Sequence, residues 1–95
     1  MKVNSFTVSK SFEIYRNGEK SSYFVSAAVD PESDLAPEDL PAFQLDVATA
    51  VKKACIYNAL VDGKLRIEEA NELIQNLKDN TALLREKLEK RRSEG

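Results

Sequence analysis

FTVSKSFEIYRNGEKSSYFVSAAV, residues 6–29, is the stretch that decides the fold. Asn17-Gly18 sits at its middle. Both central residues of a type I′ turn need positive φ, which Asn and Gly adopt at low cost. A two-residue loop between Arg16 and Glu19 then fixes the pairing of the flanking strands. It sets Phe6 against Val29, Val8 against Ala27, Lys10 against Val25, Phe12 against Tyr23 and Ile14 against Ser21. These residues share one face. Thr7, Ser9, Ser11, Glu13 and Tyr15 share the other, opposite Ala28, Ser26, Phe24, Ser22 and Lys20. The alternation of apolar and polar residues, read without the turn, gives the same two faces.

Lys10 interrupts the apolar row. Its aliphatic stem can lie over Val25 while the ammonium reaches the edge, and an inward charge discourages sheet-to-sheet pairing. The alternative is a buried pair with an acid, for instance across a subunit boundary; either way the oily face is not wholly sealed by the first helix. Two strands alone are marginal in water, so that face needs a cover.

Asp30-Pro31-Glu32 closes the second strand, because proline cannot donate to a ladder. The next stretch is acidic: Asp30, Glu32, Asp34, Glu38, Asp39 and Asp46 come before any further base. It suits a soluble connector leading to the positive end of a helix dipole. The first helix is expected over residues 41–62. Leu40, Phe43, Val47, Ala50, Val51, Ala54, Tyr57 and Val61 fall on one stripe at helical spacing, the natural cover for the hairpin. Leu45, Ile56 and Leu60, beside Thr49, form a second apolar line almost opposite. A helix apolar on two sides packs against two things.

Asp62-Gly63 ends that helix. A second helix is expected over residues 66–90, with Ile67, Ala70, Ile74, Leu77, Thr81, Leu84 and Leu88 on a 3-4 seam of coiled-coil type. Lys78-Asp79-Asn80-Thr81 are poor helix formers, but the seam stays in phase across them, so the helix is expected to continue. It would span ~37 Å against ~33 Å for the first, leaving REKLEKRR to overhang the body. The fold class is therefore α+β: an N-terminal antiparallel hairpin packed on a core helix, then a long C-terminal helix (ββαα). A single domain over 1–95 divides into hairpin 5–30, acidic connector 31–40, helix 41–62, helix 66–90 and tail 91–95.

Ninety-five residues lie near the size at which one core becomes marginal without a metal, a disulfide or a partner chain. One cysteine rules out an internal disulfide, and a cytoplasmic location is expected. No apolar run approaches the length of a membrane helix, and no signal-peptide stretch opens the chain, so no membrane partner is expected. Histidine is absent, which removes the commonest general acid/base and the commonest metal ligand. The three glycines are isolated, so no phosphate loop forms. Cys55 has no base beside it and reads as packing. YNALVDGKLRIEEANEL places Asn58, Asp62, Leu65 and Glu69 acceptably for a calcium loop, but Leu60 cannot ligate at the third position. A helix–turn–helix link explains it better. No catalytic residue, cofactor site or metal site is assigned; the expectation is a protein that is not an enzyme.

A small core, a second apolar line and a long seam point to a homo-oligomer, a dimer first. Ile67, Ile74, Leu77, Leu84 and Leu88, or the Leu45–Ile56–Leu60 line, are the interface candidates. Tyr15, Arg16, Lys20 and Phe24 are the candidate partner contacts, since aromatic and arginine side chains commonly anchor interfaces. The same aromatic and basic residues, with Lys90, Arg91 and Arg92, could instead hold nucleic acid, although Glu13 and Glu19 interleave with them. A third alternative is an oligomer that holds a small nucleotide-type ligand between subunits.

The runs TVSKSFEI and NGEKSSYFVSAAVDPE, followed by an amphipathic helix, resemble small proteins of unassigned role encoded by tailed phages, over about residues 5–60. The resemblance implies a compact protein made during infection, in the host cytoplasm, that binds a host protein, a nucleic acid or a signalling molecule. A viral regulator or inhibitor that occupies a host protein surface is the leading expectation.

Overall fold

The computed structural model describes residues 5–31 and 35–94. Glu32 and Asp34 of the acidic connector, the side chain of Arg92 and the final residue lie outside that description. Strand β1 (Phe6–Arg16) and strand β2 (Glu19–Val29) form an antiparallel two-stranded sheet. A short 3-10 turn, Pro37–Asp39, leads into helix α1 (Leu40–Val61), and helix α2 runs over Ile67–Glu94. The fold is α+β with the order ββαα.

The sheet register is the one that Asn-Gly dictates, from Phe6–Val29 down to Arg16–Glu19. Asn17 and Gly18 have φ of 53° and 77°, the left-handed values of a type I′ turn. Alternation follows the register. Every residue of the Thr7-to-Tyr15 face is exposed, as are Lys20, Ser22, Phe24, Ser26 and Ala28 across from it. The opposite face lies on α1, with Ile14 buried and its other apolar residues half-buried.

α1 begins just after Glu38 and Asp39, whose charges suit the positive end of its dipole. It ends in a Schellman arrangement. Lys64 N–H donates to the Ala59 carbonyl at 3.0 Å and Gly63 N–H to Leu60 at 3.1 Å, with Gly63 at φ 76°. α2 starts with half of a capping box, in which Glu69 Oε1 accepts from the Arg66 N–H at 3.1 Å. α2 does not break at Lys78–Thr81. Thr81 sits there on the face toward α1, and its hydroxyl lies 2.8 Å from that of Thr49. Twenty-eight residues give α2 a length of ~42 Å against ~33 Å for α1.

The core is small: Ile14, Ile56, Ala59, Leu65, Ala70 and Ile74 form its buried cluster, with Phe12, Tyr23, Leu60, Leu73 and Leu77 packed around it. This changes the expected roles of α1's faces. The Leu45–Ile56–Leu60 line is turned toward α2, together with Thr49. Ile56 (2 % exposed) and Ile74 are buried inside the chain's own core, so neither is available to a second copy. The α2 seam is satisfied first by α1. Hairpin contact falls on the side of Cys55 and of Val51, the latter itself part of the expected stripe and buried. Cys55 is fully buried, and its Sγ–H donates to the Lys10 carbonyl at 3.3 Å. The expected hairpin cover is only partly used: Phe43 meets Phe6 edge-on at 5.8 Å, whereas Ala50, Tyr57 and Val61 are exposed.

Candidate binding surfaces

Three surfaces follow from this packing. The first is the outer face of the hairpin. Tyr15 is 71 % exposed and Phe24 68 % exposed, on a face otherwise of Ser, Thr, Ala, Glu and Lys. They stand on opposite strands two rows apart, with the Glu13–Ser22 pair between them. Side chains on one face of a strand recur every ~6.6 Å, so the two positions lie about 14 Å apart along the backbone. Lys20 Nζ lies 3.2 Å from Glu13 and 5.9 Å from the centre of the Tyr15 ring. Both side chains of that ion pair are nearly half exposed, so its value to stability is small.

The expected fourth member, Arg16, is drawn away. Its guanidinium pairs with Glu69 at the start of α2. The Arg66 N–H bond and then the Arg16 bond hold the Glu69 carboxyl below its ordinary value. Arg16 therefore ties the hairpin tip to the helix link. Tyr23 makes a second tie on the inner face, where Oη donates to Asp62 Oδ2 at 2.5 Å. That bond, with some desolvation and the Asp62 charge, pushes the phenol up to about 12.

These ties use two residues of the calcium-loop pattern: Asp62 accepts from Tyr23, and Glu69 accepts from Arg16 and Arg66. Among the described residues no three potential metal ligands come together.

The second surface is the less covered side of α1, with Ala50, Tyr57 and Val61 exposed, Val47 and Ala54 half-buried, and Phe43, which also meets Phe6, at its end. Val61 is 87 % exposed and Tyr57 48 %. Nothing in the sequence separated this stripe from the one beneath the hairpin, because both have helical spacing. The signal lay in residue size: Cys55 and Ala59, both fully buried, let the sheet and α2 approach closely.

The third surface lies between the start of α1 and the end of α2, a groove of about 730 Å³ floored by Leu45, Leu84 and Leu88. Leu84 and Leu88 therefore remain partly available, while Leu77 is half-buried against the core and Ile67 is exposed at the opposite end of α2. Lys10 is exposed on the rim of a smaller groove of about 270 Å³, with Thr49, Lys52, Leu77 and Thr81.

No helix of the described residues is long and apolar enough to cross a membrane. No family model, no curated protein and no solved structure matches the chain.

Proposed function

We propose that this chain is a non-enzymatic binding protein that works as a homodimer and regulates a partner protein by occupying its surface. The observation that carries the binding reading is the display of Tyr15 and Phe24 on an open, otherwise small and polar β-face. Large aromatics held rigidly at low entropic cost are typical interface anchors, and a fully solvated face gains nothing from keeping two of them. The charge balance favours protein over polyanion here. Arg16 is neutralised by Glu69 and Lys20 by Glu13, so the face offers little free positive charge to a phosphate backbone.

Dimerisation is supported by α1. The chain exposes 6955 Å², where a compact monomer of its mass would expose about 5,500 Å². Its radius of gyration is 15.9 Å, against about 12 Å for a compact chain of this length. The stripe Phe43, Val47, Ala50, Ala54, Tyr57, Val61 carries no charge and is symmetric about its middle. A two-fold axis there sets Ala50 against the partner copy's Ala54, Val47 against its Tyr57 and Phe43 against its Val61. An isologous interface needs this kind of self-complementary patch. Small residues at the centre permit close approach, with an aromatic facing a valine at each end.

The binding reading is tested by a Tyr15→Ser/Phe24→Ser double variant, checked for native circular dichroism. Tagged wild-type protein should enrich a specific partner from extract that the double variant does not. Equal recovery of the same proteins by both would remove the face from consideration.

A further inference from the structure

The groove between the two helix ends has a chemistry different from the other surfaces. Leu45, Leu84 and Leu88 supply an apolar floor, and Lys87, Lys90 and Arg91 surround it. None of the three cations takes part in an ion pair within the described residues; Arg85, one turn earlier, is the member of this helix end that pairs, with Asp46. The chain's own carboxylates collect elsewhere. Glu38, Asp39 and Glu89 line a separate groove on the other flank of α2, beside Arg85.

We infer that this groove is a docking site for an acidic amphipathic helix of a partner protein. Two antiparallel helices with an open seam accept a third that lays apolar side chains at i, i+3, i+4 and i+7 into the gap. The partner's leucine-like residues would meet Leu45, Leu84 and Leu88, and its flanking Glu or Asp would meet Lys87, Lys90 and Arg91. Charge selects this occupant over a second copy. A two-fold contact would bring three cations near the same three of the other copy, which is repulsive. The uncharged α1 stripe has no such penalty. The groove floor in turn favours an amphipathic segment over a bare polyanion, which would leave the leucines uncovered. The inference rests on the binding-protein reading but not on the hairpin face.

The test uses the full chain and three labelled helical peptides, read by fluorescence anisotropy. One is built of Glu, Ala and Leu with the leucines in a single stripe. The second has the same composition with the stripe scrambled, and the third replaces Glu by Lys. The acidic striped peptide should bind at least about ten-fold more tightly than either control, with affinity falling as salt rises. The Lys87→Glu/Lys90→Glu/Arg91→Glu variant should weaken it about ten-fold or more, and Leu84→Asp by a similar factor, both with unchanged circular dichroism. Tyr15→Ser/Phe24→Ser should leave it unchanged, which separates this site from the hairpin face. Failure of the striped peptide to bind, or equal binding of the scrambled one, overturns the inference. So does competition by phosphatidylglycerol vesicles or a mixed-sequence oligonucleotide stronger than the unlabelled peptide itself, or loss of self-association in Leu84→Asp.

Discussion

Ile56→Val removes one methylene from the most consequential position in the core. Ile56 is 2 % exposed and packs among Ile14, Ala59, Leu65, Ala70 and Ile74, contributed by the hairpin, α1, the link and α2. Deleting a buried methylene costs about 0.5–1.5 kcal/mol, and truncation to alanine about 2–5 kcal/mol, because the surroundings relax only partly into the cavity. Total stability for a chain of this length is about 5–14 kcal/mol, so alanine endangers folding and valine does not. A loss of about 1 kcal/mol lowers Tm by about 4–8 °C at this size. The assay is thermal and urea unfolding by far-UV circular dichroism, at two protein concentrations a hundred-fold apart. Dimerisation makes Tm itself depend on concentration. The difference between wild type and Ile56→Val must not, because Ile56 belongs to the core of one chain. Leu83→Ala, at a position 57 % exposed, is the control and should stay within about 0.5 kcal/mol. A negligible cost for Ile56→Val, or a cost that vanishes on dilution, would refute the reasoning by placing Ile56 between copies.

Three further outcomes follow from the ties between elements. Tyr23 donates to Asp62, so the folded phenol holds its proton up to about 12 while the unfolded one releases it near 10. The stability this contributes is complete below pH 10 and is lost as pH rises through 12. Asp62→Asn should shift the Tyr23 ultraviolet titration back toward 10, read as the difference from a Tyr23→Phe background. The Glu69 carboxyl is lowered from 4.5 by the Arg66 N–H and Arg16, so its contribution is present above 4.5 and disappears as pH falls through the lower folded value. The Tm difference between wild type and Glu69→Gln should therefore be present at neutral pH and shrink progressively on acidification below pH 4.5. Thr49 and Thr81 hydroxyls lie 2.8 Å apart, and the Leu45 and Leu77 carbonyls are within hydrogen-bond reach of them. Thr49→Val alone should cost no more than about 1 kcal/mol, because the Thr81 hydroxyl can still donate to the Leu77 carbonyl, and since either single change already removes the shared bond, Thr49→Val/Thr81→Val should cost less than the two single losses added, as a double-mutant cycle of denaturation curves would show.

The hairpin was legible because two independent rules met on it. Asn17-Gly18 set the turn, alternation set the faces, and one register satisfied both. The helix limits came within a few residues at all but one end, since Pro41, Gly63 and the acids before α1 are local signals with local causes. α2 ran four residues past the expected end, because EKRRSE holds no glycine or proline to stop a helix. What could not be read was which stripe of α1 faces what. Two apolar lines at helical spacing are equivalent in sequence. The choice depends on how closely each neighbour can approach, which Cys55, Ala59 and Ala70 decide by being small. Arg16 shows the same limit for the site. Its place beside the turn suggested a free anchor, but the partner that removes it, Glu69, is distant in sequence and close only after folding. Lys87, Lys90 and Arg91 read only as part of an overhanging helix end, and it is folding that sets α1 beside them as the other wall of a groove.

The central claim is that the less covered stripe of α1 joins two copies, and absolute mass by light scattering across a dilution series tests it most directly. Wild type should reach twice the chain mass of 10.6 kDa at high concentration and fall toward 10.6 kDa on dilution. Tyr57→Glu, which places a charge at an exposed position of the stripe, should stay at 10.6 kDa throughout while keeping its helix content. A wild-type monomer at every concentration, or a Tyr57→Glu variant that remains dimeric, would contradict the account.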